Sequence, residues 1–600
     1  MLISSAVCDP RAVSRSRRLR TGGILLLAAL VGGALLGACS SGRSGGTAAV
    51  GSTLDAAATS DAVAPRPGPR YPLRGAGASG VRTRAGDDWS VPSWVRPVAR
   101  SGFFSESADP TADVFIHSVD VSWRQLAPTE GGPLSTTTAG SAQGMDFASL
   151  DDQLAVRGFF WMRVFASGVA WAPAWVRTRC GVTPIGPDYD GQKHLPLWNA
   201  CVWRSLMHTY RQLFVDSGLA ADPRLQFVYM PGGFTWDEYD YDVMNQAHRA
   251  GLVHKKQYLR WYDHMVHGLV DLFGAYSYKL VFTGEDYPWG PFGRAEDLLA
   301  TKAVHAGMGI RTGIPEESNF HLSETPAYGS RILPNGHLAM NDRLPVHDGK
   351  RVVATENECY DDCGYRAKDL GYAITASNLK SLQLRTNFLY VVPGPSAMDL
   401  FPEHWDWVRL ELGQQAESSP DAWAALRTAQ DTFWSQPHSP FVRGGRVWRH
   451  RPWVRNLERW LVQVDVHPDG VARRSTVDVH RHELSRENGI AYEGLATDRL
   501  RGQRALYFRL DDRFDAQGDV LVKVTWYDHG GGSWRLQSKG WRSPVVRRSG
   551  RPRWVTTTLR VPATSLHDGL RGRTDFAVRL VSGPDLDVRF VRVVRLSPPA

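Results

Sequence analysis

The sequence predicts a (β/α)8 TIM barrel followed by an all-β sandwich, and two contrasts along the chain carry that reading. Between residues 89 and 436, eight short apolar runs alternate with helix-like segments. After residue 436 the pattern becomes alternating and helix-poor. Strands buried on both faces read as continuous apolar runs, whereas strands with one wet face alternate at period two.

The eight runs fall near residues 98–104, 114–119, 159–165, 226–230, 279–283, 308–312, 351–355 and 387–392. FFWMRVF, KLVFT and FLYVV have the composition of parallel strands covered on both sides. Amphipathic stretches such as 202–214 and 258–273 supply helices between them. Eight such units over some 340 residues fit a closed parallel barrel. In the C-terminal part, ALYFRL, DVLVKVTWYD, RWVTTTLRV, DFAVRL and DVRFVRVVRL alternate and are separated by Gly, Asp and Ser turns. That pattern predicts antiparallel strands in a sandwich over 437–600.

The N-terminus reads as an export signal. Arg11, Arg15, Arg17, Arg18 and Arg20 precede an apolar and small-residue run at 22–38. The run is short for a spanning helix, which needs about 20 apolar residues, and fits a signal peptide. Leu36-Gly37-Ala38-Cys39 resembles the bacterial lipobox, which implies a lipoprotein acylated at Cys39 and anchored at the extracytoplasmic face of the cell membrane. Residues 39–88, rich in Ser, Gly, Ala, Pro and Arg, read as a disordered spacer.

Six cysteines are present, and export favours disulfides among Cys180, Cys201, Cys359 and Cys363. Proximity favours Cys180–Cys201 and Cys359–Cys363, with three pairings open. Spacings of 20 and 3 intervening residues do not match a zinc site. Neither His117, His321, His404 nor any other histidine shows metal-ligand spacing, so no metal or other cofactor is expected. Net charge is +9, and the region from Pro437 onward holds 30 Lys+Arg against 17 Asp+Glu. Such a module suits an anionic cell-wall polymer or a bilayer surface, with Arg542, Arg547, Arg548, Arg551 and Arg553 the densest run. Nucleic-acid motifs are absent, and nucleic acid is not an expected partner. The 22 tryptophans suit a carbohydrate partner as well as a core.

In a parallel barrel, functional groups follow the C-terminal ends of the strands. The second run leads to Trp123, Arg124, Pro128, Glu130 and Gly131, and then to Asp146-Phe147 and Leu150-Asp151. Arg163 is embedded in the third run, and the fourth leads into Gly232-Gly233-Phe234-Thr235-Trp236-Asp237-Glu238-Tyr239. Glu285 and Asp286 follow the fifth, Glu316 and Glu317 the sixth, and Glu356 and Glu358 the seventh.

The stretch from Trp123 to Asp151 resembles the W-x-x-L-x-P-x-x-G-x-(Y/M)-D-F-x-x-L-D opening of barrel glycoside hydrolases of the large retaining clan. The fourth-strand segment resembles a G-x-W-G-E-W element of glycosidase-like barrels, in which Glu238 takes the place of the glutamate. Asp511-Asp512-Arg513-Phe514 and Val524-Thr525-Trp526-Tyr527-Asp528 resemble jelly-roll modules appended to such barrels. The resemblance implies a hydrolase with two carboxyls on opposing strands. Glu238 is then the general acid/base and Glu356 the nucleophile, with Arg163 expected to hold Glu356 ionised. Glu358 is the alternative nucleophile, and Asp237 a further carboxylate. Trp171, Trp198, Asn199, Trp236, Asp286 and Trp289 are the expected sugar-binding residues, with Trp175 beside them. The rival reading is a non-catalytic carbohydrate or cell-wall-polymer binding lipoprotein. It is favoured by the absence of the Asn that usually precedes the strand-four glutamate.

Overall fold

A computed structural model describes residues 66–73, 80–105, 115–142, 145–155, 158–188, 191–231, 241–283, 298–311, 326–357, 370–391, 398–427, 455–477, 479–481, 490–492 and 494–599. Cys39, the signal run, Cys359 and Cys363 lie outside them. Among the described residues, no helix is long and apolar enough to cross a membrane.

All eight apolar runs form the strands of one closed parallel barrel. They are β1 (Gly102–Phe104), β2 (Phe115–Ser122), β3 (Phe160–Phe165), β4 (Leu225–Tyr229), β5 (Leu280–Thr283), β6 (Gly309–Arg311), β7 (Val353–Asn357) and β8 (Phe388–Val391). Each pairs with its sequence neighbours, and β8 closes on β1 through Phe388↔Gly102. Alternation explains why the runs are apolar on both sides. Phe104, Trp161, Phe227, Tyr229, Phe388 and Tyr390 fill the interior, while Phe160, Met162, Val164, Val228 and Phe282 pack outward with the surrounding helices.

The helices alternate with strands less strictly than expected. α1 (Ala174–Cys180) and α2 (Ala200–Tyr210) follow β3, and α3 (Lys255–Phe273) follows β4. α4 (Leu298–Ala306) follows β5, and α5 (Leu370–Gln383) follows β7. Between β6 and β7 the described residues hold no α-helix, but a hairpin pairing Ser330–Ile332 with Leu338–Met340. α3 is amphipathic, burying Tyr258, Tyr262, Met265, Val266, Leu269 and Phe273 at helical spacing. The Cys180–Cys201 disulfide joins the end of α1 to the start of α2, as sequence proximity suggested.

Two antiparallel sheets form a sandwich-like unit. One contains β9 (Asp421–Ala425), β10 (Leu457–Arg459), β13 (Asp519–Tyr527), β17 (Trp554–Pro562) and β19 (Asp587–Arg595). The other contains β11 (Leu461–Val464), β12 (Ala505–Leu510), β14 (Ser533–Ser538), β15 (Trp541–Arg542), β16 (Val546–Arg547) and β18 (Phe576–Ser582). Val522, Val524, Leu559 and Val593 of the first sheet share one core with Leu506, Phe508, Leu536 and Val578 of the second.

Two boundaries move from their expected places. β9 already belongs to the sandwich, so that unit starts before residue 437. The spacer is not disordered throughout: Val81–Ala85 pairs antiparallel with β17 along five residues. Its V-R-T-R-A alternation suits an edge strand, with Thr83 hydrogen-bonded to Thr557 at 2.9 Å.

The two units meet through α6 (Pro402–Glu411), the segment 87–90 and the outer face of the first sheet. Trp89, Trp407, Trp423 and Phe590 interlock there, with ring centroids 4.8–6.3 Å apart. Buried Arg592 donates to Asp421 at 2.5 Å and to the Asp88 carbonyl at 2.6 Å. Lys523 Nζ donates to Asp88, the Ser90 carbonyl and the Ser90 hydroxyl at 2.8–3.0 Å. Burial pushes Lys523 down to about 7. Burial alone would raise Asp88, but Lys523, Ser90 and Arg592 pull it down to about 2.

His404 sits in this interface, 2 % exposed, with its ring 4.4 Å from that of Trp89. Burial, and then Arg592, depress it from 6.5 to about 3. A histidine with a depressed folded pKa is neutral when folded but binds a proton when unfolded. Stability therefore falls as pH drops from about 6.5 to about 3. One such proton contributes a slope of about 1.4 kcal/mol per pH unit. His404→Gln is expected to flatten the pH dependence of urea unfolding by about that slope; an unchanged slope refutes the assignment.

Candidate active site

Strand alternation fixes which side chains enter the barrel near its C-terminal mouth. Ile116, Trp161, Phe227, Ala354 and Phe388 line the interior, so positions two or four residues further on point the same way. These are Asp120, Arg163, Tyr229, Glu356 and Tyr390. Arg311, at the end of β6, joins them through its contacts with Tyr229, Tyr390 and Glu356.

The charged members form two neighbouring-strand pairs. Arg163 Nε and Nη2 donate to the two carboxylate oxygens of Asp120 at 2.8 and 2.7 Å. These residues face each other in the β2–β3 register. The Arg163 guanidinium also lies 5.1 Å from the Trp161 ring and 4.9 Å from that of Phe165. On the other side, Arg311 Nη2 reaches Glu356 Oε2 at 2.9 Å, with side-chain exposures of 3 % and 8 %. The Arg311 guanidinium is 4.9 Å from the Tyr390 ring and 5.8 Å from that of Tyr229. Charge-assisted pairs of this kind fix both partners in direction as well as place.

Glu356 thus stands at the expected strand end, but its guanidinium partner is Arg311. Arg163, expected to hold Glu356, is bonded to Asp120. The reason is spacing: neighbouring strands lie about 4.8 Å apart, whereas β3 and β7 are four strands apart around the barrel. Asp120 and Arg311 were not singled out from the sequence. The signal that singled out Arg163, a charge inside an apolar strand, was equally present in FIHSVDVS and GIR.

The expected sugar-binding residues that are described turn to packing. Trp171 is 1 % exposed, with its ring 4.7 Å from that of Phe165. Trp198 packs against the barrel's helical layer, edge to face with Tyr258. Asn199 caps α2, accepting from the Cys201 and Val202 amides at 2.9 and 3.3 Å. Trp175 donates to the Ala127 carbonyl at 2.9 Å. Trp236, Asp237, Glu238, Asp286, Trp289 and Glu358 lie outside the described residues, as do Glu285, Glu316 and Glu317.

A further constellation follows β3. Ser167 Oγ lies 3.1 Å from His194 Nδ1, and His194 Nε2 lies 2.7 Å from Asp188 Oδ2. Exposures of 1 %, 0 % and 6 % close this row off from substrate. Asp188 also accepts from the Gln192 amide at 2.8 Å, so the row staples the loop between β3 and α2. Among the described residues, no cluster of His, Cys, Asp and Glu could hold a metal ion. No family model matches the chain, and no curated protein matches it.

Removing one partner of a buried ion pair takes away the counter-charge of the other, at a cost of up to about 3–5 kcal/mol. Arg311→Met is therefore expected to lower unfolding stability by that amount, and Arg311→Met with Glu356→Leu by clearly less. Equal losses in the single and double variants would show that the two side chains are not energetically coupled.

Proposed function

We propose that this chain is an exported, lipid-anchored glycoside hydrolase acting on an oligo- or polysaccharide. The observation carrying the reading is Glu356: a carboxylate inside the mouth of a parallel barrel, braced by Arg311 at 2.9 Å and close to the Tyr390 ring that Arg311 covers. An anchored carboxylate at the C-terminal end of the seventh strand is what a displacement at a sugar's anomeric carbon requires.

In the retaining form, Glu356 attacks the anomeric carbon while Glu238 gives a proton to the departing glycosidic oxygen. The C–O bond to the leaving sugar breaks as an ester to Glu356 forms. Glu238, now ionised, takes a proton from water, which hydrolyses that ester. In the inverting form, Glu356 activates the water directly. Arg311 positions Glu356, and Asp120, held by Arg163, offers a second polar contact to sugar hydroxyls. The jelly-roll-like sandwich acts as an ancillary module.

The non-catalytic binding reading has its own support. Both carboxylates described at the mouth are already paired with arginine, which suits recognition as well as reaction. Hydrolysis of aryl glycosides and oligosaccharides by wild type, Glu238→Gln, Glu356→Gln and Glu358→Gln separates the readings. Loss of either catalytic carboxyl is expected to slow turnover by roughly 10²–10⁴-fold with sugar binding retained. A wild type that binds sugar but cleaves nothing supports the binding protein. A dead Glu358→Gln beside an active Glu356→Gln moves the nucleophile two residues along.

The anchor has a separate test. Cys39→Ser is expected to shift the protein from the detergent-extracted membrane fraction to the soluble exported fraction. Unchanged membrane association would mean another anchor.

A further inference from the structure

The barrel covers the outer face of the first sandwich sheet; among the described residues, the outer face of the second sheet is covered only in part, where the 464–470 segment and Leu570 pack on Ala505, Tyr507 and Ala577. In that second sheet Leu506, Phe508, Leu536 and Val578 enter the core. Alternation therefore turns Arg509, Arg535 and Arg579 outward. The register extends the row: Arg535 stands opposite Arg579, Gln537 opposite Arg542, and Ser533 opposite Arg547. Five arginines thus share the outer face across β12, β18, β14, β15 and β16, with Arg509 set apart from the other four by the covered Tyr507 and Ala577.

Only one of the five is paired, and that one through Nη2 alone, its Nε being out of water without a partner. Arg579 donates to Asp469 at 2.9 Å and to the Tyr507 hydroxyl at 2.8 Å. Among the described residues, Arg509, Arg535, Arg542 and Arg547 have neither an acid nor an acceptor for their guanidiniums. Arg535 is half-buried, and its Nε is out of water without a partner. It also faces Arg579 directly across the ladder, and like charges so placed are destabilising. Arg548, from the run that first suggested a basic surface, is instead buried and donates to the Asp585 carbonyl at 3.1 Å.

We propose that this face binds an anionic polysaccharide, one whose carboxylates or phosphates accept from the arginine row. The proposal rests on the carbohydrate reading above and names the class of polysaccharide that the sandwich would hold. Guanidinium forks match carboxylate and phosphate oxygens two at a time, and strand spacing sets neighbouring rows about 4.8 Å apart. A bilayer fits less well. The exposed apolar residues beside the row are Val545 and Val581, whereas the most exposed leucine, Leu500, sits in the Arg499–Arg501 turn. Membrane docking relies on larger apolar side chains.

The test measures binding of the full chain, in the Glu356→Gln background, to polygalacturonate, poly(glycerol phosphate), neutral dextran and phosphatidylglycerol vesicles. Using that background reads binding apart from hydrolysis, so failure of the catalytic reading does not register here. One or both anionic polymers are expected to bind, dextran not, with affinity falling steeply as salt screens the contacts. Arg542→Gln with Arg547→Gln should weaken binding about tenfold, through two lost charge-assisted contacts, and reduce the salt dependence. Arg551→Gln with Arg553→Gln, exposed on the loop entering β17, should change it less than about twofold. Binding to neither polymer overturns the proposal. So do equal losses in the two double variants, or binding to vesicles alone.

Discussion

The arrangement of this molecule depends on one buried ion pair, Arg592 with Asp421, where barrel meets sandwich. Both side chains are out of water, and the desolvation cost of such a pair nearly cancels its attraction. Its effect is therefore on geometry more than on stability. The Arg592 guanidinium must also reach the Asp88 carbonyl, and Asp421 must also receive the Trp407 indole at 3.2 Å. Segment 87–90, the barrel helix α6 and two sandwich strands satisfy these demands in one relative placement. Arg459 extends the network, donating to the Glu411 and Gln414 carbonyls at 2.9 and 2.8 Å. Burial, and then neighbouring Asp421, push the Glu411 carboxyl well above the usual carboxylate range.

Two groups of arginines in the C-terminal part differ sharply in their surroundings. Arg459, Arg592 and Arg595 are buried and bonded at or beside the interface. Arg513 ties the sandwich to Asp342 on the barrel side with bonds of 3.1 and 2.9 Å. Arg509, Arg535, Arg542 and Arg547 lie on the far sheet instead. Net charge counts these groups alike, but the first is buried at the junction while the second, like the exposed Arg551 and Arg553, projects a field into solvent. The basic composition thus serves assembly on one face of the sandwich and is free to attract anions on the other.

Much of the fold was legible because its signals are local. Eight continuous apolar runs became eight barrel strands, since burial on both faces leaves its mark within each strand. Antiparallel alternation after residue 436 was equally legible. What escaped depends on distant partners. Val81–Ala85 is too short and too polar to declare itself, and becomes a strand only because β17 offers an open edge. Of the 22 tryptophans whose number suits both a core and a sugar platform, Trp123, Trp161, Trp171, Trp405, Trp407, Trp423, Trp526 and Trp534 are fully buried, and of these only Trp171 was expected to bind sugar. Composition cannot separate an indole that stacks on a sugar from one that fills a large core.

The same distinction governs the site. A charge embedded in an apolar run and a carboxylate at the end of one are readable from sequence, which is how Arg163 and Glu356 were singled out. Their partners were not readable, because pairing depends on how the strands close. Once closed, an inward charge is neutralised most cheaply by the strand beside it, so Asp120 serves Arg163 and Arg311 serves Glu356. Among the described residues, the mouth consequently carries Arg163 with Asp120 and Arg311 with Glu356 as neighbouring-strand pairs rather than one cross-barrel bridge. A neutral sugar approaching these pairs meets directional hydrogen-bonding groups but little net charge from them.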